Sequence, residues 1–262
     1  MSAGIAGSLR HLPAIGLEEL NAAAALQTRV DRKYVLPALQ ARQLLGAFEV
    51  DLRILEMDGK RTFDYDSVYF DTPQLDSYLL AARGRRRRYK IRTRTYVDSA
   101  ASFLEVKTEG SREATVKDRI PYHLADRSRI TAEGLAYIND TLTETIGGVP
   151  SGPLEPVLET RYRRTSLFLP GSDSRATLDE AVTWQRPGGR PWLLDGSLVL
   201  ETKSGSTAGP LDRLLWDSGI RPSRISKFAT GMAALCPELP GNRWHRTLQR
   251  HLNLIPAAAA AA

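Results

Sequence analysis

The stretch Arg83-Gly84-Arg85-Arg86-Arg87-Arg88-Tyr89-Lys90-Ile91-Arg92-Thr93-Arg94 places eight basic residues in twelve positions. Its parity decides the fold. In an extended strand, side chains at i, i+2 and i+4 share a face. Arg86, Arg88, Lys90, Arg92 and Arg94 then project one way, and Tyr89, Ile91, Thr93 and Thr95 the other. A solvated basic tail has no reason to keep that alternation. The next strand, around Leu104-Glu105-Val106-Lys107, sets Glu105 and Lys107 against Leu104 and Val106. Two successive strands thus carry one charged and one apolar face, as a sheet built around a polyanion would.

The pattern recurs along the chain. Asp31 and Lys33 oppose Val30, Tyr34 and Leu36; Lys117 and Arg119 alternate with Val116 and Ile120. Arg175, Thr177 and Asp179 oppose Ala176 and Leu178, and Glu201 and Lys203 oppose Leu198, Leu200 and Thr202. A half-buried sheet ordinarily wets its polar face, and these charges could be such an exterior. A merely solvated face also takes Ser, Thr, Asn and Gln, however, whereas these strands repeatedly choose Arg or Lys. A closed barrel with a charged bore and outward apolar faces under helices explains that choice, because such a bore focuses its field on an anion.

Strands are expected near 28–36, 51–57, 61–71, 85–97, 102–109, 112–122, 156–169, 174–185 and 194–203. Helices are expected at 17–25, from Pro37 to Phe48, after the Asp71-Thr72-Pro73 cap, and near 131–143, 210–218 and 226–235. Many strands with few helices give an α+β class: an antiparallel β-barrel tunnel of about eight strands flanked by helices. The expected organisation is a flexible lead-in at 1–16, one domain at 17–240, and a tail at 241–262 ending in an alanine run.

Bulk properties fit this picture. The 262 residues suffice for a sizeable core. A balance of 36 basic to 30 acidic residues, net +6, favours anionic partners. The single cysteine, Cys236, makes no internal disulfide and fits a reducing, cytoplasmic setting. No apolar run approaches the roughly 18 residues of a membrane span, and Glu18 and Glu19 interrupt any secretion signal. His11, His123, His245 and His251 lack metal-ligand spacing, and no P-loop motif is present.

A series of motifs carries a resemblance. Ser67-Val68-Tyr69-Phe70-Asp71-Thr72, Lys90-Ile91-Arg92-Thr93-Arg94-Thr95-Tyr96 and Phe103-Leu104-Glu105-Val106-Lys107 come first. Arg161-Tyr162-Arg163-Arg164-Thr165, Arg175-Ala176-Thr177-Leu178-Asp179, Val199-Leu200-Glu201-Thr202-Lys203 and Ser226-Lys227-Phe228 follow in order. Over about residues 28–235 the chain resembles the VTC-type polyphosphate polymerase domain, of the triphosphate tunnel metalloenzyme (CYTH-like) superfamily. The superfamily's first strand carries Glu-x-Glu-x-Lys; here the stretch reads Arg29-Val30-Asp31-Arg32-Lys33. Arginine replaces the first carboxylate, a departure typical of the VTC branch that removes one candidate metal ligand.

The resemblance implies a metal-dependent transfer of the γ-phosphoryl group of ATP to polyphosphate. Such chemistry needs positioning and charge neutralisation, not a covalent intermediate. Without a P-loop, side chains must cradle the phosphates. The expected phosphate-binding set is Lys33, Lys90, Arg92, Arg94, Lys107, Lys117, Arg119 and Arg175. Arg164, Lys203 and Lys227 are the expected catalytic residues, the two lysines placed near the transferring phosphate by the resemblance. Mg²⁺ or Mn²⁺ favours oxygen ligands, for which Glu201, Glu105 and Asp179 are candidates and Asp31 a weaker one. Each carboxylate has an alternative role as salt-bridge partner to a neighbouring cation. A tripolyphosphatase or nucleoside triphosphatase in the same tunnel is the nearer alternative, and a non-catalytic polyphosphate or nucleic-acid binder the other. The expected partners are ATP and inorganic polyphosphate, without nucleic acid; any membrane link would run through a partner protein.

Overall fold

The structure, a computed structural model, describes residues 4–22, 30–48, 50–109 and 115–257. The strands are β1 (Ala14–Ile15), β2 (Val30–Pro37), β3 (Arg53–Leu55), β4 (Phe63–Asp71), β5 (Arg88–Tyr96) and β6 (Ala101–Glu109). Next come β7 (Thr115–Pro121), β8 (Glu155–Leu169), β9 (Ser174–Gln185), β10 (Trp192–Leu194), β11 (Ser197–Ser204) and β12 (Leu254–Pro256). The helices are α1 (Ile5–Ser8), α2 (Leu17–Ala22), α3 (Ala38–Gly46), α4 (Asp76–Ala82), α5 (Ala132–Ile146), α6 (Pro210–Asp217), α7 (Lys227–Leu235) and α8 (His245–His251).

Eight strands form one antiparallel path, β7–β6–β5–β4–β8–β9–β11–β2. The α+β, antiparallel architecture is the expected one. Closure is not by hydrogen bonds: among the described residues β2 and β7 share no ladder. The sheet curls nonetheless, because Lys33 on β2 is close enough to act electrostatically on Lys90 of β5 and Lys107 of β6.

The parity of β5 is realised along its whole length: Tyr89, Ile91, Thr93 and Thr95 are buried, and Arg88, Lys90, Arg92 and Arg94 are not fully so. The apolar face packs outward. Ile91, Leu104, Val106, Val68 and Phe70 meet Ile138 and Leu142 of α5. On the far side, Leu198, Leu200, Leu178 and Ala176 pack with Ala41 and Leu45 of α3 and Leu211 and Leu215 of α6. A bulge in β9, at Ala181 with φ 51°, reverses the alternation. Glu180, before the bulge, keeps the outward parity of Ala176 and Leu178 and accepts the Ile5 amide (3.0 and 2.9 Å), while beyond it Val182 and Trp184 join the cluster around α7.

Several boundaries differ from the sequence expectation. The strand expected at 194–203 is two, β10 and β11, separated at Gly196, whose φ of 61° suits a residue without Cβ. Pro37 closes β2 rather than opening α3. Residues 5–9, expected as a loose lead-in, put Ile5 and Leu9 into the outer cluster. Beyond residue 240, Trp244 is buried, and β12 pairs with β10. Residues 23–29, with Arg29 and part of the expected first helix, lie outside the described residues. No helix among the described residues is long and apolar enough to cross a membrane.

One buried carboxylate ties α6 to the β2–β11 pair. Asp212 accepts from Tyr34 Oη (2.7 Å), Thr202 Oγ1 (2.5 Å), Ser204 Oγ (3.3 Å) and the Gly209 amide (2.9 Å). Arg32 completes the group at 3.5 Å. Removing the charge weakens several charge-assisted bonds at once. Asp212→Asn is expected to cost about 2–3 kcal/mol, read as a lowered denaturant midpoint at unchanged m-value.

Candidate phosphate-binding site

The inward charges meet across strands because antiparallel partners share a face. Arg92 lies opposite Glu105 and Tyr69, and Arg164 opposite Asp179. On the β11–β2 side, Glu201 faces Lys33 and Lys203 faces Asp31. The sequence-predicted cations and carboxylates thus sit on neighbouring rungs of one concave face.

Glu105, 2% exposed, anchors the β5 arginines. Arg92 donates from Nε (2.7 Å) and Nη2 (2.5 Å) to its Oε2, and Arg94 Nε lies 4.0 Å away. Arg92 also donates to Tyr69 Oη at 3.1 Å. Burial acts to lower the pKa of Arg92, but Tyr69 and Glu105 outweigh it, so the guanidinium is held charged.

A second anchor is Asp179, 1% exposed. Arg164 donates to both its oxygens, from Nε to Oδ1 (2.7 Å) and Nη2 to Oδ2 (2.8 Å); Lys227 Nζ also bonds Oδ2. The Arg164 guanidinium lies 5.1 Å from the ring centroids of both Tyr65 and Tyr162, which stack on each other, within cation–π range. Burial raises the Asp179 pKa, yet Arg164 and Lys227 together hold it below the usual carboxylate range.

Lys227 is placed by α7, whose docking depends on two residues without charge. Trp184 Nε1 donates to the Lys227 carbonyl at 2.7 Å. Gly231 allows that approach, since a Cβ there would stand 2.2 Å from Trp184 Cδ1. Ser226 caps α7 by accepting from the Ala229 amide at 3.3 Å, and its hydroxyl also accepts from Lys90 Nζ at 3.1 Å.

The third group is Asp31, Lys33, Glu201 and Lys203. Lys203 Nζ bonds Asp31 (2.9 Å) and Glu201, and Lys33 Nζ is 3.7 Å from Glu201. Burial acts to raise the Glu201 pKa, but Lys33, Lys203 and Arg164 hold it well below the usual range. Lys90 and Lys107 have no carboxylate partner among the described residues. Burial, then Lys33 and Lys107, push the Lys90 pKa well below its ordinary value. Burial, then Lys33, lower that of Lys107 to about 8.

These depressed lysines give anion binding a pH dependence. Below about pH 8 Lys107 is already charged; above it, a bound anion must recruit the proton. Tripolyphosphate affinity is therefore expected to fall as pH rises from 7 to 9, by up to about tenfold per unit for each proton taken up. Calorimetry in buffers of different ionisation enthalpy should detect proton uptake at pH 9, and a flat profile would contradict it.

The remaining predicted residues lie around this centre. Arg175 sits on β9 between Phe168 and Lys203 in register. Arg119 is exposed on the edge strand, 4.6 Å from the Phe103 centroid, with Nη1 3.5 Å from Tyr96 Oη. Lys117 pairs with Lys107 through the backbone, and its side chain lies outside the described residues. A cleft of about 610 Å³ lined by Arg10, Lys60, Arg61, Asp64, Asp98 and Arg163 is separate from this face. Two of its cations are already paired, Lys60 with Asp98 and Arg61 with Glu56.

Among the described residues no three His, Cys, Asp or Glu side chains gather as a metal cluster. Mg²⁺ commonly takes only one or two carboxylates, with phosphates supplying further oxygens. Asp31 and Glu201, which share the Lys203 ammonium, fit that donor set. Both oxygens of Asp179 are bonded to Arg164 and Lys227, and Oε2 of Glu105 is bonded to Arg92.

The profile of the VTC domain matches residues 28–236. The chain belongs to the VTC domain family. No curated protein matches it. Among solved structures, Hippeastrum HpAC1, described with a dominant triphosphatase activity, is 18% identical, with a TM-score of 0.46 over 79% of this chain and 96% of that one. The Bacillus halodurans protein bh2851 is 12% identical, with a TM-score of 0.49 over 76% and 94%. PH1819 of Pyrococcus horikoshii OT3 is 13% identical, with a TM-score of 0.45 over 78% and 97%.

Proposed function

We propose that this VTC-domain chain is a polyphosphate polymerase that moves the γ-phosphoryl group of ATP onto the end of a polyphosphate chain and releases ADP. The observation that carries this reading is the crowding of Lys33, Lys90 and Lys107, of which Lys90 and Lys107 lack a carboxylate partner among the described residues. Like charges so placed repel one another, and a run of phosphates relieves that repulsion.

In the proposed step a terminal phosphate oxygen of the polymer attacks the γ-phosphorus in line. The new P–O bond forms as the bond from the γ-phosphorus to the β–γ bridging oxygen breaks, so ADP carries away the electron pair. No side chain becomes phosphorylated. Arg164 and Lys227, held by Asp179, meet the charge developing on the transferring phosphoryl oxygens. Arg92, Arg94, Lys90 and Lys107 hold the acceptor phosphates, with Arg119 and Arg175 extending the basic face; Lys117 is a further phosphate-binding candidate from the sequence alone. Glu201, with Asp31, would hold Mg²⁺ or Mn²⁺, which neutralises phosphate charge when bound. Asp179 and Glu105 act in this reading as anchors of the arginines rather than as metal ligands. ATP supply fits a cytoplasmic site, and a membrane connection would come through a partner protein.

The test is incubation of the protein with ATP and Mn²⁺, with and without a short polyphosphate primer, resolved on a polyphosphate-stained gel. A lengthening ladder is expected, with its rate cut at least about a hundredfold by Glu201→Gln. A ladder unchanged in Glu201→Gln would remove that residue from the site. Free phosphate without polymer would favour the triphosphatase reading, in which water takes the acceptor position.

A further inference from the structure

The chain stays basic just before β5. Arg85, Arg86 and Arg87 lead into Arg88 outside the strand, and Arg83, Arg85, Arg86 and Arg87 are all exposed. Gly84, at φ 65°, turns this segment against Arg243: a Cβ there would stand 2.6 Å from Arg243 Nη1. Arg243 Nη1 also donates to the Ala81 carbonyl at 3.4 Å. Burial, then the charge of Arg243, lower the pKa of Arg88. Six arginines thus collect at this end of the face. Among the described residues, Arg88 has a salt bridge, to Glu109, whereas Arg83, Arg85, Arg86, Arg87 and Arg243 have none.

The same end is closed unevenly. Phe228, Met232 and Trp244 pack with Tyr69, Leu158, Tyr162, Trp184, Val199 and Val35, sealing the β4–β8–β9–β11–β2 side. Neither β5, β6 nor β7 contributes a member to that cluster. Their side carries Arg88, Lys90 and Lys107, with the Ser226 hydroxyl bonded to Lys90. A polar strip therefore runs from the lysine cluster out to the exposed arginines.

We propose that this strip is the outlet for the growing polyphosphate, and that the Arg83–Arg88 segment with Arg243 is an external guide holding successive phosphates of the emerging chain. The proposal rests on the polymerase reading and adds a direction to it. Charge complementarity and continuity with the lysine cluster favour this occupant. Arginine offers bidentate donors to each phosphate, and contacts made in series raise affinity with chain length. An anionic membrane would meet the same charge, but residues 83–88 present no apolar side chain beside it for insertion.

The test compares tripolyphosphate and long-chain polyphosphate binding to the wild type and to the R85S/R86S/R87S variant, at low and moderate salt. Wild type is expected to bind the long chain more tightly. The variant should keep its tripolyphosphate affinity, which also reports that it folds, and lose about tenfold or more of the long-chain affinity together with part of its salt dependence. Equal long-chain binding by both proteins would overturn the guide. Loss of binding to phosphatidylserine vesicles, with long-chain affinity intact, would also overturn it in favour of a membrane contact. Failure of the wild type to bind tripolyphosphate would count against the reading of the bore, while the long-chain arm still decides the guide.

Discussion

Arg164→Ala is expected to lower kcat for polymer formation about a thousandfold, with a much smaller change in KM for ATP. Arginines that meet the charge of a transferring phosphoryl group contribute roughly 10³–10⁵ in rate, and the lower end suits a site rich in other cations. Arg164 is oriented before substrate arrives: two bonds to Asp179 fix its fork, and the stacked pair Tyr65 and Tyr162 lies beside it. Its help therefore requires little reorganisation during the step. Arg164→Lys should recover only a small part, because an ammonium cannot reproduce the bidentate grip while also reaching a phosphate. Steady-state kinetics on ATP with a fixed primer separate the two parameters. A defect confined to KM, or one smaller than about tenfold in kcat, would remove Arg164 from the transferring phosphate.

The largest expected effect on stability is that of Asp179→Asn. This carboxylate is buried and bonded to Arg164 and Lys227. Breaking a buried ion pair from one side leaves uncompensated charge, at about 3–5 kcal/mol, or on the order of 10 °C in Tm for a chain of this size. The sign with pH follows from the depressed pKa. The stabilisation is complete above the unfolded carboxylate pKa and is lost as pH falls through the lower folded value, so wild type and variant should converge only at acid pH. Tripolyphosphate should restore part of the lost Tm, because it supplies negative charge to the same cations and binds the folded state. A small Tm change at neutral pH, or no ligand rescue, would show that Arg164 and Lys227 do not depend on Asp179.

The face carrying these residues was legible because strand periodicity is local. Arg88 to Arg94, Glu105 with Lys107, and Glu201 with Lys203 each announce a shared face within a few positions. What escaped depends on contacts far apart in the chain. Asp212 looks like an ordinary residue in the first turn of α6, and only folding brings Tyr34 to it. Gly231 reads as a poor helix residue until Trp184 lies against it. The bulge at Ala181 left no sequence signal, yet it turns Val182 and Trp184 to the inner cluster against α7; Glu180, just before it, holds the Ile5 amide and so fastens a segment that reads as a loose lead-in. The anchoring of Arg164 by Asp179 was foreshadowed only as one possibility for any carboxylate among cations, since register is set by the whole sheet.

The most direct measurement is the fate of the γ-phosphate followed by ³¹P NMR during turnover of ATP with Mg²⁺ by the wild-type protein. The account predicts that loss of the γ signal is matched by ADP and by growing internal polyphosphate resonances, with little orthophosphate. Orthophosphate appearing in step with ADP, and no internal polyphosphate signal, would contradict it.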